Sequence, residues 1–207
     1  MRGILAATLL LGLGACAGTG MDEAECRTAD WRAIGYEDGA QGLRPEAFGA
    51  RRRACAEHGV TAGFDAYLAG HGQGLELYCR PQNGYRLGSQ GQRYAGVCPA
   101  RLEGPFLAAH SDGYGLYERR AALDGIARQL SYNKQRSQEI EYLVVEKTAS
   151  LVSPIMLPSE RAAIAVELKQ LAEEKAEVDR AIPRLERDYA EAERDYEAYR
   201  GQIANRY

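Results

Sequence analysis

The sequence predicts an all-α protein: a disulfide-stapled bundle of short glycine-rich helices followed by a long antiparallel coiled-coil hairpin. Three observations carry this. Between Cys26 and Tyr117 glycines recur at helical spacing behind aromatic or apolar residues, from Leu116 onward glycine nearly vanishes and charge rises, and from Ile164 a 4-3 apolar spacing holds to Ile203. The chain then divides into an export signal (1–15), a lipidated N-terminus and linker (16–25), a cysteine- and glycine-rich helical domain (26–118) and a helical hairpin (119–207).

Residues 1–15 carry one charge, Arg2, ahead of an apolar run from Ile4 to Leu13. That run is too short to span a bilayer and has the layout of a secretory signal. It ends Leu13-Gly14-Ala15-Cys16, which looks like a bacterial lipobox, so Cys16 is the expected lipidation site and the new N-terminus. Several acyl chains on one cysteine anchor stably, since each buried methylene contributes about 0.8 kcal/mol. Ala17 follows, and the absence of aspartate there matches cargo sent to the outer membrane, facing the periplasm.

Export implies an oxidising compartment, so Cys26, Cys55, Cys79 and Cys98 read as two disulfides. None of them forms a C-x-x-C pair, which argues against zinc. Three connectivities are possible. If residues 28–42 and 46–57 are helices joined at Gly42-Leu43-Arg44-Pro45, the hairpin returns Cys55 to the level of Cys26, which favours Cys26 with Cys55 and leaves Cys79 with Cys98.

The glycine sets are Gly35, Gly39 and Gly42 behind Trp31; Gly70 and Gly74 behind Tyr67; Gly84, Gly88 and Gly91; and Gly113 behind Phe106. A helical glycine costs about 1 kcal/mol against alanine, so such sets imply helices touching backbone to backbone, unless the glycines only end helices and make turns. Gly59 and Asn83-Gly84 read as plain turns. Residues 61–78 read as a helix, 80–84 as a turn, 85–97 as a short helix or irregular loop, and Pro99 suits the first turn of a long helix.

The motifs Cys26-Arg27-Thr28-Ala29-Asp30-Trp31, Gly35-Tyr36-Glu37-Asp38-Gly39, Cys55-Ala56-Glu57-His58-Gly59, Tyr67-Leu68-Ala69-Gly70, Gly74-Leu75-Glu76-Leu77-Tyr78-Cys79, Asn83-Gly84-Tyr85, Gly88-Ser89-Gln90-Gly91 and Val97-Cys98-Pro99 stand in that order. Together they resemble the bacterial lipoprotein family called the domain of unknown function 2799, over residues 26 to 120. The resemblance implies an export-dependent envelope lipoprotein and supplies no catalytic residues.

In the C-terminal arm the seam runs Ile164, Leu168, Leu171, Lys175, Val178, Ile182, Leu185, Tyr189, Ala192, Tyr196, Tyr199 and Ile203, with Lys175 its charged member. A weaker copy runs from Ile126 to Leu151. Pro154 and Pro158 separate the two helices, Ser159 is the expected cap of the second, and Pro183 is expected to kink it. The antiparallel register sets Val144 opposite Leu168, Ile140 opposite Leu171 and Ser137 opposite Lys175. An arm of about 35 residues reaches roughly 50 Å.

The hairpin's tip supplies the candidate partner-binding residues Leu151, Val152, Ile155, Met156 and Leu157, an apolar cluster at a normally exposed place. Closure of the coiled coil by these side chains is the competing reading.

No G-x-S-x-G, H-E-x-x-H or phosphate-cradling loop is present, so no catalytic residue, cofactor or metal is expected. Arg51-Arg52-Arg53 stands alone as a basic cluster on a slightly acidic chain, which argues against nucleic acid as a partner. The function expected is a structural or protein-interaction module bound to the membrane through its lipid and to an envelope protein through its arm. The alternative is a small periplasmic ligand-binding domain or envelope enzyme with a site near His71 and His110.

Overall fold

A computed structural model describes residues 21–207 of the chain; the export signal and Cys16 lie outside the described residues. Among the described residues all regular structure is helical: α1 (Glu23–Thr28), α2 (Trp31–Ala40), α3 (Phe48–Glu57) behind a single 3-10 turn (Pro45–Ala47), α4 (Phe64–Tyr78), α5 (Pro81–Ser89), α6 (Ala100–Leu151) and α7 (Pro158–Ile203). No described helix is long and apolar enough to cross a membrane. The chain forms two compact units, one running to Cys79 and adding Ala95–Ala100, the other made of Arg80–Tyr94 and Arg101–Tyr207.

In the first unit the helix expected from residue 28 onward is broken at Asp30. Its carboxylate accepts the backbone N–H groups of Arg32 and Ala33, at 3.0 Å each, so it caps α2 and leaves α1 as a separate turn and a half. Gly42, with φ +73°, ends α2. Leu43 N–H reaches the Asp38 carbonyl and Gly42 N–H the Gly39 carbonyl, a left-handed cap that glycine adopts without Cβ strain. Gly59 ends α3 in the same way, as the sequence predicts.

The core of this unit is aromatic. The Phe48 ring lies 5.6 Å from Trp31, 5.1 Å from Phe64 and 4.9 Å from Tyr67. Cys26 and Cys55 are joined beside it, and Cys79 is joined to Cys98. Both bridges follow the pairing that the hairpin argument favours, and each contributes on the order of 3 kcal/mol by restricting the unfolded chain.

In the second unit the stretch from Arg80 to Gly84 is not the expected turn but the start of α5. Pro81 occupies its first turn, where a missing N–H costs nothing, and Asn83-Gly84 lies inside the helix because Gly84 is needed for packing against α6. Helix α7 begins one residue before the expected cap: Pro158 opens it, and the Glu160 carboxylate, rather than the Ser159 hydroxyl, accepts the free N–H of Leu157 at 2.8 Å.

Ion pairs join α6 and α7 along their length. Arg119 meets Asp195 at 3.0 Å, Lys134 meets Glu186 at 2.7 Å, Arg136 meets Glu174 at 2.7 Å, and Lys147 meets Glu167. The partner's number falls as the first number rises. Exposed pairs of this kind add little stability each, so their part is to fix register; Leu123, Ile140 and Leu171 are the buried apolar residues of the two helices.

Candidate functional site

The apolar tip is built on a braced turn. The Arg161 guanidinium donates to the carbonyls of Leu151 and Ser153, both at 2.8 Å, which satisfies two acceptors left open where α6 ends. With Glu160 holding Leu157 N–H, both sides of the turn are pinned. Of the five predicted residues, Val152, Ile155 and Leu157 are 80%, 89% and 59% exposed, whereas Leu151 and Met156 are half-buried. No charged residue stands between Lys147 and Glu160.

Lys175, the charged member of the α7 seam, finds its expected neighbour. Its ammonium lies 3.2 Å from the Ser137 hydroxyl, 3.0 Å from Glu141 and 2.7 Å from Asp179. The hydrogen bond from Lys175 holds the Asp179 carboxyl below its ordinary range, and the one from Arg136 does the same for Glu174.

Two of the three histidines are held by backbone carbonyls. His71 is buried and its Nε2 lies 2.7 Å from the Leu43 carbonyl; His110 Nε2 lies 2.7 Å from the Gln92 carbonyl. A carbonyl only accepts, so both rings donate from Nε2. His58 is exposed. Among the described residues no group of three or more metal-ligating side chains converges.

One polar constellation escapes a reading by spacing. Asp38, 3% exposed, receives both guanidinium arms of Arg51 (2.5 and 3.0 Å) and the Tyr67 hydroxyl at 2.8 Å. Burial, and then the bond to Asp38, push the Tyr67 hydroxyl's pKa up; the same carboxylate raises that of Arg51. Arg51 therefore turns inward from the basic triplet and ties α3 to α2 and α4. The signal available in the sequence was Asp38 on the glycine face of α2, where an apolar residue would ordinarily stand.

The two glycine-rich helix pairs are built alike. Gly35-Tyr36-Glu37-Asp38-Gly39-Ala40-Gln41-Gly42 in the first pair matches Gly84-Tyr85-Arg86-Leu87-Gly88-Ser89-Gln90-Gly91 in the second, and Tyr67, Gly70, His71, Gly74 and Tyr78 match Phe106, Ala109, His110, Gly113 and Tyr117. The geometry agrees at each step. A Cβ at Gly39 would lie 2.2 Å from the His71 carbonyl oxygen, and one at Gly88 would lie 2.1 Å from that of His110. At Gly74 it would meet Tyr36 O at 2.1 Å, and at Gly113 it would meet Tyr85 O at 2.2 Å.

The ends of the two pairs match as well. Gly42 and Gly91 both have positive φ and lie against the rings of Tyr78 and Tyr117. Each histidine clasps the residue after that glycine, and the Schellman bond from Leu43 to Asp38 repeats as Gln92 to Leu87. The block is thus a tandem duplication of one backbone-packed helix pair. The polar triad belongs to the first copy alone, since Leu87 and Phe106 replace Asp38 and Tyr67.

No curated protein matches the chain, and no solved structure does. Residues 30–115, which hold α2 to α5 and the first part of α6, match the family model described as "Protein of unknown function (DUF2799)".

Proposed function

We propose that the protein is a lipid-anchored lipoprotein of the cell envelope, held at the outer membrane through acylated Cys16 and facing the periplasm, and that it works as a structural or protein-interaction module. In this reading the domain at 26–118 carries the two like helix pairs, and α6 with α7 forms an antiparallel coiled-coil arm over 119–207. The arm presents Leu151, Val152, Ile155, Met156 and Leu157 to an envelope protein.

The observation that carries the reading is the braced apolar tip. Exposed aliphatic side chains on a mobile loop lose ordering entropy when they bind; here Arg161 and Glu160 already hold the turn, so less entropy is lost on association. The rest of the arm is laced with ion pairs and also exposes Tyr132, Tyr142, Val145 and Val166, but on continuous helix rather than on a braced turn. Leu151 and Met156 are half-buried, whereas Ile155 is almost fully exposed.

Two measurements test the proposal. Labelled palmitate supplied to cells is expected to enter the wild-type chain and not Cys16→Ser, with the label sedimenting in the outer-membrane fraction. Reversible crosslinking followed by purification is expected to yield a discrete companion protein that is lost from the double variant Val152→Glu/Ile155→Glu. Absence of label sinks the anchor, and a companion retained by the double variant sinks the tip.

A further inference from the structure

Helix α7 ends at Ile203, and the four residues beyond it, 204–207, leave the helix and close on the second helix pair. The Tyr207 ring stacks on the Tyr85 ring, with centroids 4.9 Å apart and planes 15° apart. The Tyr207 hydroxyl and the Arg206 guanidinium both donate to one oxygen of the Asp112 carboxylate, at 2.9 and 3.0 Å. The second pair thus offers an anion beside a flat ring, and Arg206-Tyr207 answers with a cation beside a flat ring.

Other contacts seat α7 itself. One turn before Tyr207, Ile203 is 2% exposed. One turn earlier still, the half-buried Tyr199 ring lies under the Arg119 guanidinium at 4.0 Å, and its hydroxyl is 3.2 Å from the Asp112 carbonyl. By contrast the Arg206 side chain is half exposed and Tyr207 is 37% exposed. Exposed ion pairs and surface hydrogen bonds add little net stability, so what holds 204–207 down is weak beside what seats the helix.

We propose that residues 204–207 are a releasable strap over a recognition site at Tyr85 and Asp112, and that the site's other occupant is a segment of a partner polypeptide with an arginine next to an aromatic residue. The strap defines that chemistry, because it is such a segment itself. Tyr85 and Asp112 lie in the stretch that matches the family model, whereas the strap lies in the extension beyond residue 115, so the site and its cover belong to different parts of the chain. Tethered to α7, the strap competes at high effective concentration. A free segment therefore enters only in the fraction of molecules whose strap is open. The site is separate from the arm's tip and does not depend on the reading of the tip.

The test compares the full chain with Arg206→Ala/Tyr207→Ala, each carrying a fluorinated tyrosine at position 85 so that fluorine NMR reads that ring. The probe is a synthetic peptide of residues 200–207, titrated to millimolar concentration. The proposal expects saturable binding to the double variant and binding at least about tenfold weaker to the unaltered chain, in which no more than about a tenth of the molecules have the strap open. Adding Asp112→Asn to the double variant is expected to abolish binding, and a chain ending at Ile203 is expected to bind as the double variant does, with its helix content by circular dichroism unchanged. Equal binding by the unaltered chain and the double variant, no saturable binding to the double variant, or binding indifferent to Asp112→Asn overturns the proposal. Loss of helix on removing 204–207 also overturns it, because those residues would then be part of what holds the fold rather than a strap.

Discussion

Placing a methyl group between the backbones of α2 and α4 separates close approach from simple helix propensity. In Gly74→Ala the new Cβ would stand 2.1 Å from Tyr36 O and 2.5 Å from Ala40 N. Both neighbours are backbone atoms, so the helices must part by about 1 Å before an ordinary van der Waals contact is reached. Overpacking of this kind costs about 1–3 kcal/mol, and it is opposed by the roughly 1 kcal/mol that alanine gains over glycine within a helix.

The contact wins because neither backbone neighbour can rotate away, and Gly74→Ala is expected to lose about 1–2 kcal/mol net. Gly72→Ala, in the same helix but with nothing within 4 Å of its Cβ, is expected to gain about 0.5–1 kcal/mol. The two substitutions therefore have opposite signs, separated by about 1.5–3 kcal/mol. Urea unfolding with disulfides intact, followed by the fluorescence of Trp31, the chain's one tryptophan, reads the first unit directly. A neutral or stabilised Gly74→Ala would refute the claim that the backbones meet.

Other expectations follow from the same geometry. Gly113→Ala, the counterpart in the second pair, is expected to lose a similar amount, about 1–2 kcal/mol, by circular dichroism; a stabilised variant would break the equivalence of the copies. Tyr67→Phe removes one bond to Asp38 and is expected to cost about 1–2 kcal/mol at neutral pH. Because the folded state raises the Tyr67 pKa, this contribution is fully present below the ordinary tyrosine value of 10.0 and is lost as pH rises past it. The gap between wild type and Tyr67→Phe is therefore expected to narrow in alkali, and a constant gap would show that Tyr67 does not titrate against Asp38. Glu174 and Asp179 have lowered pKa values, so their contribution is present above the ordinary carboxylate range and fades in acid. Thermal scans at decreasing pH are expected to show this loss in wild type and not in Glu174→Gln/Asp179→Asn. Arg161→Ala is expected to leave the global melting temperature nearly unchanged while amide exchange quickens across residues 151–157.

The helices of the arm, the recurring glycines and the cysteine pairing were legible because each rests on local spacing. The 4-3 period carries through α7 with Lys175 as its charged member, and the loop between α2 and α3 is short enough to set Cys26 beside Cys55. The start of α5 was misread because Arg80-Pro81-Gln82-Asn83-Gly84 has the composition of a turn. Only contact with the Phe106 carbonyl explains why a glycine belongs inside that helix. The duplication was concealed by unequal connections, since Gly42 to Tyr67 is longer than Gly91 to Phe106 and includes α3. The match of Gly35-Tyr36 with Gly84-Tyr85 was visible nonetheless. Asp38 was hidden for another reason: its partner Arg51 lies in a run of three arginines that reads as a solvated face, and the direction each side chain takes depends on packing that α3 acquires only in the folded unit.

The measurement that bears most directly on the proposed role is site-specific photocrosslinking in intact cells, with the photoreactive side chain at Ile155 and, as control, at the exposed Arg194 of α7. The account predicts a discrete heterologous product from position 155 and none from 194. Absence of a product at 155, or equal products at both positions, would contradict the reading of the tip as the surface that meets a partner.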